Sequence, residues 1–393
     1  MKKLFLILAL AGICFVDATA QKKIPETVTF VQNAGRRTEI ILPKVNGLNI
    51  YKADLHTHSI YSDANLTPEQ RVKEAWLDGL DIFSMTDHVE YRRHEKTMLK
   101  FLKGYNGGEA KKAINANVIR KPANSKGILA DLNVSTELAQ KEAKVYGEGL
   151  LIIPGCEITR EPKTIGHFNA LFTTDNNTIY APDAMQSLRN AKAQNALVMH
   201  NHPGWTHKDM KLTPFEKEVY KAGLLDGIEV VNTAEFYPQA ITRAEKYGLF
   251  ISSNSDIHYA SEGSYRNFGG QRNMTIIFAK DKSLESLREA IDARRTLAYS
   301  YGTLAGEESL LRKFFEASVS VREISVDKKG RRQIIVTNNS SVEWWLVREG
   351  QKAELLEANS SIILGERTST SNTFTLLNTW CGEDKHITVE LFK

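Results

Sequence analysis

Short apolar runs of β type alternate with amphipathic helical stretches between about residues 48 and 300. The runs predict strands at 48–53, 82–85, 151–153, 196–199, 228–231 and 249–252. Apolar positions at helical spacing predict helices near 68–79, 135–146, 182–194, 238–247 and 284–294. Thr67 and Gln70 should form a capping box at the start of the first helix. This alternation is typical of an α/β fold with a parallel sheet or barrel, and not of a β sandwich.

The hydrophobic pattern changes after about residue 315. Short alternating runs at 319–326, 332–337, 342–348, 361–364, 373–377 and 387–392 are separated by turn residues. We therefore expect a barrel domain at 21–315 and a small all-β, sandwich-like domain at 316–393. In the latter, one of the adjacent Trp344 and Trp345 should face the core. The basic stretch 92–133, rich in Gly, Asn and Lys, is expected to be a lid-like insertion over the barrel.

The first twenty residues have the pattern of a secretory signal. Basic residues precede an apolar run from Leu4 to Val16, and small residues follow it up to Ala20. The run is too short to span a bilayer, so an integral membrane protein is not expected. Cleavage after Ala20 would export the protein to the periplasm or the medium, and an uncleaved anchor is the alternative.

Composition limits the classes of partner and of cysteine chemistry. The chain has 393 residues, 42% of them hydrophobic, which is enough for a large core. The formal net charge is only +4 and no basic cluster is evident, so a nucleic-acid partner is not indicated. Outside the signal, Cys156 and Cys381 have no metal or redox spacing and are expected to be buried thiols, although a disulfide between them stays open. The oligomeric state stays open as well.

Candidate chemistry begins with His56 and His58, which follow the first predicted strand. Side chains two residues apart in extended backbone lie on the same side, so the two imidazoles can bind one metal. Further imidazoles and carboxylates follow, mostly at the ends of other predicted strands: Asp63, His88, Glu157, His167, His202, Asp256 and His258. The carboxyl ends of barrel strands share one face, so these side chains should converge there. This mixed set suits manganese, zinc or iron better than calcium, and it is too large for one ion.

An ordered set of motifs resembles the PHP (polymerase and histidinol phosphatase) family. The motifs are 54–63, 85–88, 155–157 with His167, 200–204 and 256–258, within a match of roughly 48–300. The resemblance implies a distorted seven-stranded βα (TIM-like) barrel with two or three divalent metal ions. It implies one metal on His56, His58, Glu157 and Asp256, a second on Glu157, His167 and His202, and a third on Asp63, His88 and His258. Ala64 stands where the family usually has glycine.

Metal-activated hydroxide in such a site would hydrolyse a phosphate ester. His200, which the ligand set leaves over, is either the acid that protonates the leaving alcohol or a packed histidine. Asp87 is expected to orient His88 or a neighbouring ligand. The candidates for contacts to the phosphate are Arg160, Arg266 and Arg272.

The resulting hypothesis is metal-dependent hydrolysis of small organic phosphate esters. Similarity to secreted PHP phosphodiesterases favours diesters. A phosphomonoesterase of the histidinol-phosphatase type is one alternative. A barrel hydrolase of the amidohydrolase type, or a non-catalytic metal-binding protein, are the others, and structural metal sites usually close with fewer ligands than this chain offers.

Overall fold

The computed structural model describes residues 36–92, 131–159, 165–205, 207–265, 270–367 and 371–392. The predicted signal at 1–20 and most of the predicted insertion at 92–133 lie outside these ranges, as do Arg160 and Arg266. No helix in the described ranges is both long enough and apolar enough to cross a membrane.

The first part of the chain contains the strands and helices of an α/β fold. Its strands are β1 (Asn49–Asp54), β2 (Ile82–Met85), β3 (Leu151–Thr159), β4 (His167–Leu171), β5 (Leu197–His200), β6 (Gly227–Asn232), β7 (Glu235–Phe236), β8 (Phe250–Asn254), β9 (Met274–Ala279), β10 (Thr296–Ser300) and β11 (Thr303–Gly306). Its helices are α1 (Pro68–Leu77), α2 (Val134–Ala143), α3 (Ala184–Ala193), α4 (Pro214–Lys221), α5 (Pro238–Tyr247), α6 (Ser261–Ser264), α7 (Leu284–Asp292) and α8 (Glu308–Ser318). Short 3₁₀ helices span Lys144–Gly149 and Asn176–Thr178.

These strands form one continuous, curved sheet. β1, β2 and β3 pair in parallel, and β5, β6 and β8 do the same. β4 joins the two sets by pairing antiparallel with both β3 and β5, and β9 pairs antiparallel with β1. The prediction of a distorted α/β barrel is confirmed, and the antiparallel β4 is the main distortion. The parallel strands still direct their carboxyl ends to one face.

Local sequence explains where the helices begin. Thr67 accepts from the Gln70 backbone while the Gln70 side chain accepts from Thr67 N, which confirms the predicted capping box of α1. The same box, formed by Thr213 and Glu216, starts α4. The hydrophobic pattern did not predict α4, although its Thr-Pro-x-Glu start was visible in the sequence. It also missed α8, which spans the expected domain boundary at 315/316.

The C-terminal part forms two packed antiparallel sheets, as expected. Its strands are β12 (Val319–Val326), β13 (Arg331–Asn338), β14 (Trp344–Val347), β15 (Glu354–Leu356), β16 (Ser361–Arg367), β17 (Thr373–Leu376), β18 (Thr379–Trp380) and β19 (Thr388–Glu390). The sheet orders are β12-β13-β16 and β15-β14-β17-β19, while β18 pairs with β11 of the barrel sheet. Trp344 is buried and Trp345 is 37% exposed, as the alternation predicted.

The hydrophobic core is continuous from the barrel into the C-terminal sheets. The ring of Trp344 lies 5.7 Å from that of Phe314 and 5.0 Å from that of Phe315, both on α8. The same cluster contains Met274 of β9 and Phe374 of β17. The two parts therefore share the apolar surface that stabilises them.

Neither described cysteine is in a disulfide. Cys156 is buried within β3, as expected. Cys381 is only partly buried, so the expectation of two buried thiols holds for one of them. The disulfide left open by the sequence is absent.

Candidate metal centre

The predicted ligands converge where the parallel strands end. Their donor atoms form overlapping groups in which all atoms lie within 4.8 Å of one another. The groups are His56, His58 and Asp256; His56, Glu157 and His202; and His58, Asp63, His88 and His258. His167 borders them, since its Nδ1 lies 3.4 Å from Glu157 Oε1. The sequence therefore identified side chains that share one site, although their grouping differs from the one implied by the resemblance.

The orientation of His56 and His58 points to a cation between them. His56 Nδ1 lies 2.9 Å from Glu229 Oε1, and His58 Nδ1 lies 3.3 Å from Ser62 Oγ. With both Nδ1–H groups donating there, the lone pairs of the two Nε2 atoms face each other at 3.1 Å. Such an arrangement is repulsive unless a positive charge lies between the nitrogens. The residues present therefore fit a bound metal ion.

Glu157 connects the groups. Its Oε2 lies 2.8 Å from His88 Nδ1, 3.3 Å from His58 Nε2 and 3.4 Å from His56 Nε2. Its Oε1 faces the other side of the centre, 3.7 Å from His202 Nε2. A carboxylate with imidazoles around both oxygens would take part in holding more than one bound cation.

The group around Asp63 also fits a cation. Asp63 Oδ1 is buried and accepts no hydrogen bond of regular geometry within the described residues. Three imidazole nitrogens surround it, with His258 Nε2 at 3.2 Å, His88 Nε2 at 3.5 Å and His58 Nδ1 at 4.0 Å. Ala64, next to it, has no positive φ, so this turn does not need the family's usual glycine.

Electrostatics in the metal-free centre are dominated by attraction between imidazoles and carboxylates. Burial alone would raise the pKa of Glu157, yet His56 and His88 hold that pKa well below its usual range. Burial opposes protonation of His88, but the negative charges of Glu157 and Asp63 outweigh it and raise the pKa of His88 to about 10. For His167, burial prevails and its pKa is lowered. A divalent cation would take the place of the protons on the raised histidines.

Glu229 is a candidate functional residue that the sequence reasoning missed. It is fully buried on β6, where Oε1 faces His56 and Oε2 accepts from His202 N at 2.7 Å. Asn232 and Asn254 donate to its two oxygens, each at 2.9 Å. A carboxylate partner on the second imidazole nitrogen fixes a metal-ligating histidine. A glutamate inside the apolar run 228–231 was the available signal.

A family model and solved structures match the part of the chain that carries this centre. The PHP domain model matches residues 54–307, which carry all the clustered side chains. The chain belongs to the PHP family. A two-domain protein from Bacteroides vulgatus, which contains a predicted PHP-like metal-dependent phosphoesterase, shares 32% identity over 90% of this chain and 98% of that chain, with a TM-score of 0.76. A protein assigned as a metal-dependent phosphoesterase from Bifidobacterium adolescentis shares 14% identity over 62% of this chain and 96% of that chain, with a TM-score of 0.39. No curated protein matches.

Two residues of the PHP centre adopt backbone conformations that are rare outside glycine. His202 has φ of 26° and Asp256 has φ of 48°. Such conformations cost on the order of 1–3 kcal/mol each and persist only where neighbours enforce them. Asp256 N donates to His56 O at 2.9 Å, and His202 N donates to Glu229. The site itself therefore holds these ligands in place.

Asp87 acts on His58 rather than on His88. Its carboxylate accepts from Ser59 N at 2.7 Å, from Ser59 Oγ at 2.6 Å and from Ser62 Oγ at 2.6 Å. Because the Ser62 hydroxyl donates to Asp87, its oxygen is left to accept from His58 Nδ1. Asp87 therefore orients a neighbouring ligand through Ser62, and it shapes the loop that leads to Asp63.

Arg272 is not a phosphate clamp, contrary to the prediction. Its guanidinium is buried and donates to Asp54 at 2.8 Å and to Asp78 at 3.2 Å. Asp54 also accepts from Ser255, so the arginine ties the end of β1 to the end of β8. A cation already bound to two buried carboxylates cannot turn to a substrate without leaving them unpaired. The other candidates, Arg160 and Arg266, lie outside the described residues.

His200 is a packed histidine, so its assignment as leaving-group acid is corrected. Its Nδ1 lies 3.0 Å from the Tyr220 hydroxyl and its Nε2 lies 3.2 Å from Glu216 Oε1. The ring is buried and stacks on Phe168 at 5.2 Å. A general acid must reach the leaving oxygen, and both nitrogens of His200 are held elsewhere. β5 ends at His200 and His202 has φ of 26°, so the two histidines do not share one side as they would in extended backbone.

Arg71 is a second residue that the sequence reasoning missed. It is buried on α1, where its Nε donates to His58 O at 2.8 Å and its Nη1 donates to Tyr259 O at 2.6 Å. Glu74 accepts from the same guanidinium at 2.9 Å. The helix thereby joins the backbone at His58 to that of the segment after His258. The only feature of the sequence that could have indicated this role is the position of Arg71 on the side of the predicted helix that faces the sheet.

Proposed function

We propose that this PHP protein is a metal-dependent phosphoesterase that hydrolyses small organic phosphate esters, diesters in particular. The observation that supports this most is the set of overlapping donor groups joined by Glu157 at the barrel mouth. They can hold two or three divalent ions of manganese, zinc or iron. The similar Bacteroides vulgatus protein, described as containing a PHP-like metal-dependent phosphoesterase, is consistent with the proposal.

The protein's own residues would orient the reacting groups. Bound divalent cations would activate water and neutralise charge on the phosphoryl oxygens. Glu229 keeps His56 in the tautomer that presents Nε2 to the centre, and Asp87 does so for His58 through Ser62. The buried carboxylates would favour cations at the mouth, and the enclosed setting would strengthen the attraction between those cations and a phosphate group.

Aromatic rings on different sides of the centre support a diester. The ring of Trp205 is 42% exposed and lies 5.2 Å from His167 and 5.4 Å from His202. On another side, exposed Tyr91 lies 5.8 Å from His88. A phosphodiester carries two organic substituents, and apolar contacts on more than one side of the centre suit such a substrate.

Turnover with defined metals tests the proposal. The purified protein would be stripped with a chelator, reloaded separately with Mn²⁺, Zn²⁺ and Fe²⁺, and assayed on bis(4-nitrophenyl) phosphate and 4-nitrophenyl phosphate. We expect turnover only after reloading, with the higher kcat/KM on the diester. Absence of turnover of both phosphates at full metal content would contradict the proposal. A preference for the monoester would favour the monoesterase alternative, and turnover of 4-nitrophenyl acetate alone would favour an amidohydrolase-type reaction.

We also propose that the enzyme acts outside the cytoplasm, after cleavage of the signal at 1–20. The support is the sequence pattern of that segment alone. Fractionation of expressing cells, followed by N-terminal sequencing, would test it. A mature protein that begins at Gln21 in the exported fraction is expected, and an intact Met1 in the cytoplasmic fraction would contradict export.

A further inference from the structure

We propose that a cavity beside the metal centre binds an uncharged, ring-shaped substituent of the phosphate ester, and that the C-terminal domain holds its Tyr301 wall in place. This inference rests on the proposed phosphoesterase function and adds the chemical class of the substituent. It also gives the C-terminal sheets a role in substrate selection.

The cavity adjoins the Asp63 side of the metal centre. Its volume is about 590 Å³, well beyond the space a phosphate group needs and within the range of small-molecule sites. Asp63, Asp256 and His258 line it on the side of the metal ligands. Tyr265 and Tyr301 line it farther out. A phosphorus atom held at the metals would therefore present one of its substituents to this space.

The described lining favours an uncharged ring. It contains no lysine or arginine, and its carboxylates, Asp63 and Asp256, are candidate metal ligands, so no described residue there is placed to pair with a second anionic group on the substrate. The rings of Tyr265 and Tyr301 lie 6.4 Å apart at an interplanar angle of 30°. Tyr265 is 4% exposed and Tyr301 is 54% exposed, so one ring forms a fixed wall and the other offers a free face. Flat groups pack well on such aromatic faces.

The backbone at Tyr301 is unusual for its place in the fold. β10 and β11 form a hairpin in which Ser300 pairs with Thr303, leaving Tyr301 and Gly302 as its two turn residues. Their φ angles are 46° and 75°. Turns with positive φ at both positions prefer Asn-Gly, because a bulky residue there is strained. An aromatic residue in that conformation next to a metal centre is the type of outlier from which a functional role is inferred.

The C-terminal domain holds the tip of this hairpin. Asn378 Nδ2 donates to Gly302 O at 2.7 Å and to Glu343 O at 2.8 Å. Asn378 O accepts from Leu304 N at 2.8 Å, so one residue binds both sides of the turn. A Cβ on Gly302 would lie 2.7 Å from Glu343 Oε1, which shows how closely the domain packs on the hairpin. The wall is therefore positioned before a substrate binds, which lowers the entropic cost of binding.

Two diesters with the same leaving group test the cavity. Methyl 4-nitrophenyl phosphate and phenyl 4-nitrophenyl phosphate both release nitrophenolate, so they differ in the group offered to the cavity. We expect kcat/KM to favour the phenyl ester by about tenfold, within the range that apolar pocket contacts supply. Tyr301→Ala should remove this preference, chiefly by raising KM for the phenyl ester, and Tyr301→Phe should keep it because the ring remains. Metal content should be unchanged in both variants.

A variant remote from the metals tests the C-terminal support. Asn378→Ala should lose roughly threefold of the phenyl preference while keeping turnover of the methyl ester, because Tyr301 is less well positioned. Ile363→Ala, an exposed apolar residue on β16, is the matched control and should change neither rate. Melting temperatures would establish that both variants are folded. An unchanged preference in folded Asn378→Ala would overturn the role of the domain.

Binding provides a readout that does not depend on turnover. Calorimetric titration of the metal-loaded protein should give tighter binding of phenylphosphonate than of methylphosphonate, and Tyr301→Ala should equalise the two. Turnover of the methyl ester with equal affinity for both phosphonates would overturn the cavity inference and leave the phosphoesterase proposal intact. Binding that depends on Tyr301 without turnover of either ester would overturn the phosphoesterase proposal instead.

Discussion

The barrel mouth and the junction with the C-terminal sheets are both buried, and they are built from opposite residue types. At the mouth, His56, Glu157 and Glu229 are enclosed among other polar side chains. At the junction, Phe314 and Trp344 pack within a continuous apolar cluster. Burying charged groups costs free energy, whereas burying apolar surface supplies it. The mouth is therefore arranged for binding, and the junction contributes the stability that keeps the mouth in shape.

The largest expected effect is loss of activity on removing a ligand at the mouth. His58→Ala or Asp256→Ala should lower kcat/KM by more than the roughly 100-fold that outer partners of a metal ligand cost. The apolar junction is untouched, so far-UV circular dichroism should show the fold largely retained. Asp209→Ala, which removes an exposed aspartate, is the matched control. Near-normal activity and metal content in either ligand variant would show that the assignment is wrong.

The second prediction concerns a substitution in the apolar junction. Trp344→Ala should lower the free energy of unfolding by about 3–5 kcal/mol, because it leaves a large cavity in the shared core. Urea denaturation measures this, with the partly exposed Trp345→Ala as control. Metal content per folded molecule should stay normal. A stability loss confined to Trp345→Ala would contradict the division between the two regions.

A third prediction concerns the residue that orients His56. Glu229→Gln keeps the size of the side chain but weakens the acceptor for His56 Nδ1. Metal affinity should fall by about 10- to 100-fold, as is usual for partners behind a ligand. Competition with a chromogenic chelator measures this, and Glu218→Gln on the exposed side of α4 is the control. Unchanged affinity would mean that Glu229 only packs the barrel.

Metal affinity should also rise with pH. In the metal-free protein the pKa of His88 is raised to about 10, so at neutral pH this imidazole holds a proton that a metal must displace. Raising the pH from 6 to 8 lowers that cost, by up to about tenfold in affinity per pH unit for each proton released. Titrations across this range in buffers of different ionisation enthalpy would measure both affinity and proton release. A metal affinity that falls as the pH rises would contradict this prediction.

The smallest effect is expected for His200. Since its ring contacts Phe168, Tyr220 and Glu216, His200→Phe should lower stability but change kcat by less than about tenfold. Loss of a general acid would cost roughly 100-fold or more. The pH profile of kcat separates the two roles. Only if His200 is the catalytic acid would its substitution abolish one limb of that profile. A lost limb would restore the original assignment.

Sequence reasoning was most successful for elements that carry a local signal. Buried parallel strands such as 82–85 are short apolar runs, and the capping box of α1 is a fixed spacing of polar side chains. It was weaker for β4, whose polar first residue, His167, interrupts the apolar pattern. The hairpin of β10 and β11 was missed because its turn contains Tyr301 where asparagine is usual.

At the site, the sequence determined which residue types stand at the strand ends and in what order. Only the tertiary structure decided how they group, because the partner of each side chain comes from distant parts of the chain. Glu157 became the connecting carboxylate by lying between His56 and His88, and Arg272 was bound by Asp54 and Asp78 instead of facing a substrate. Local propensity depends on neighbours in sequence, whereas the role of a charged side chain depends on the charges that folding brings within a few ångströms of it.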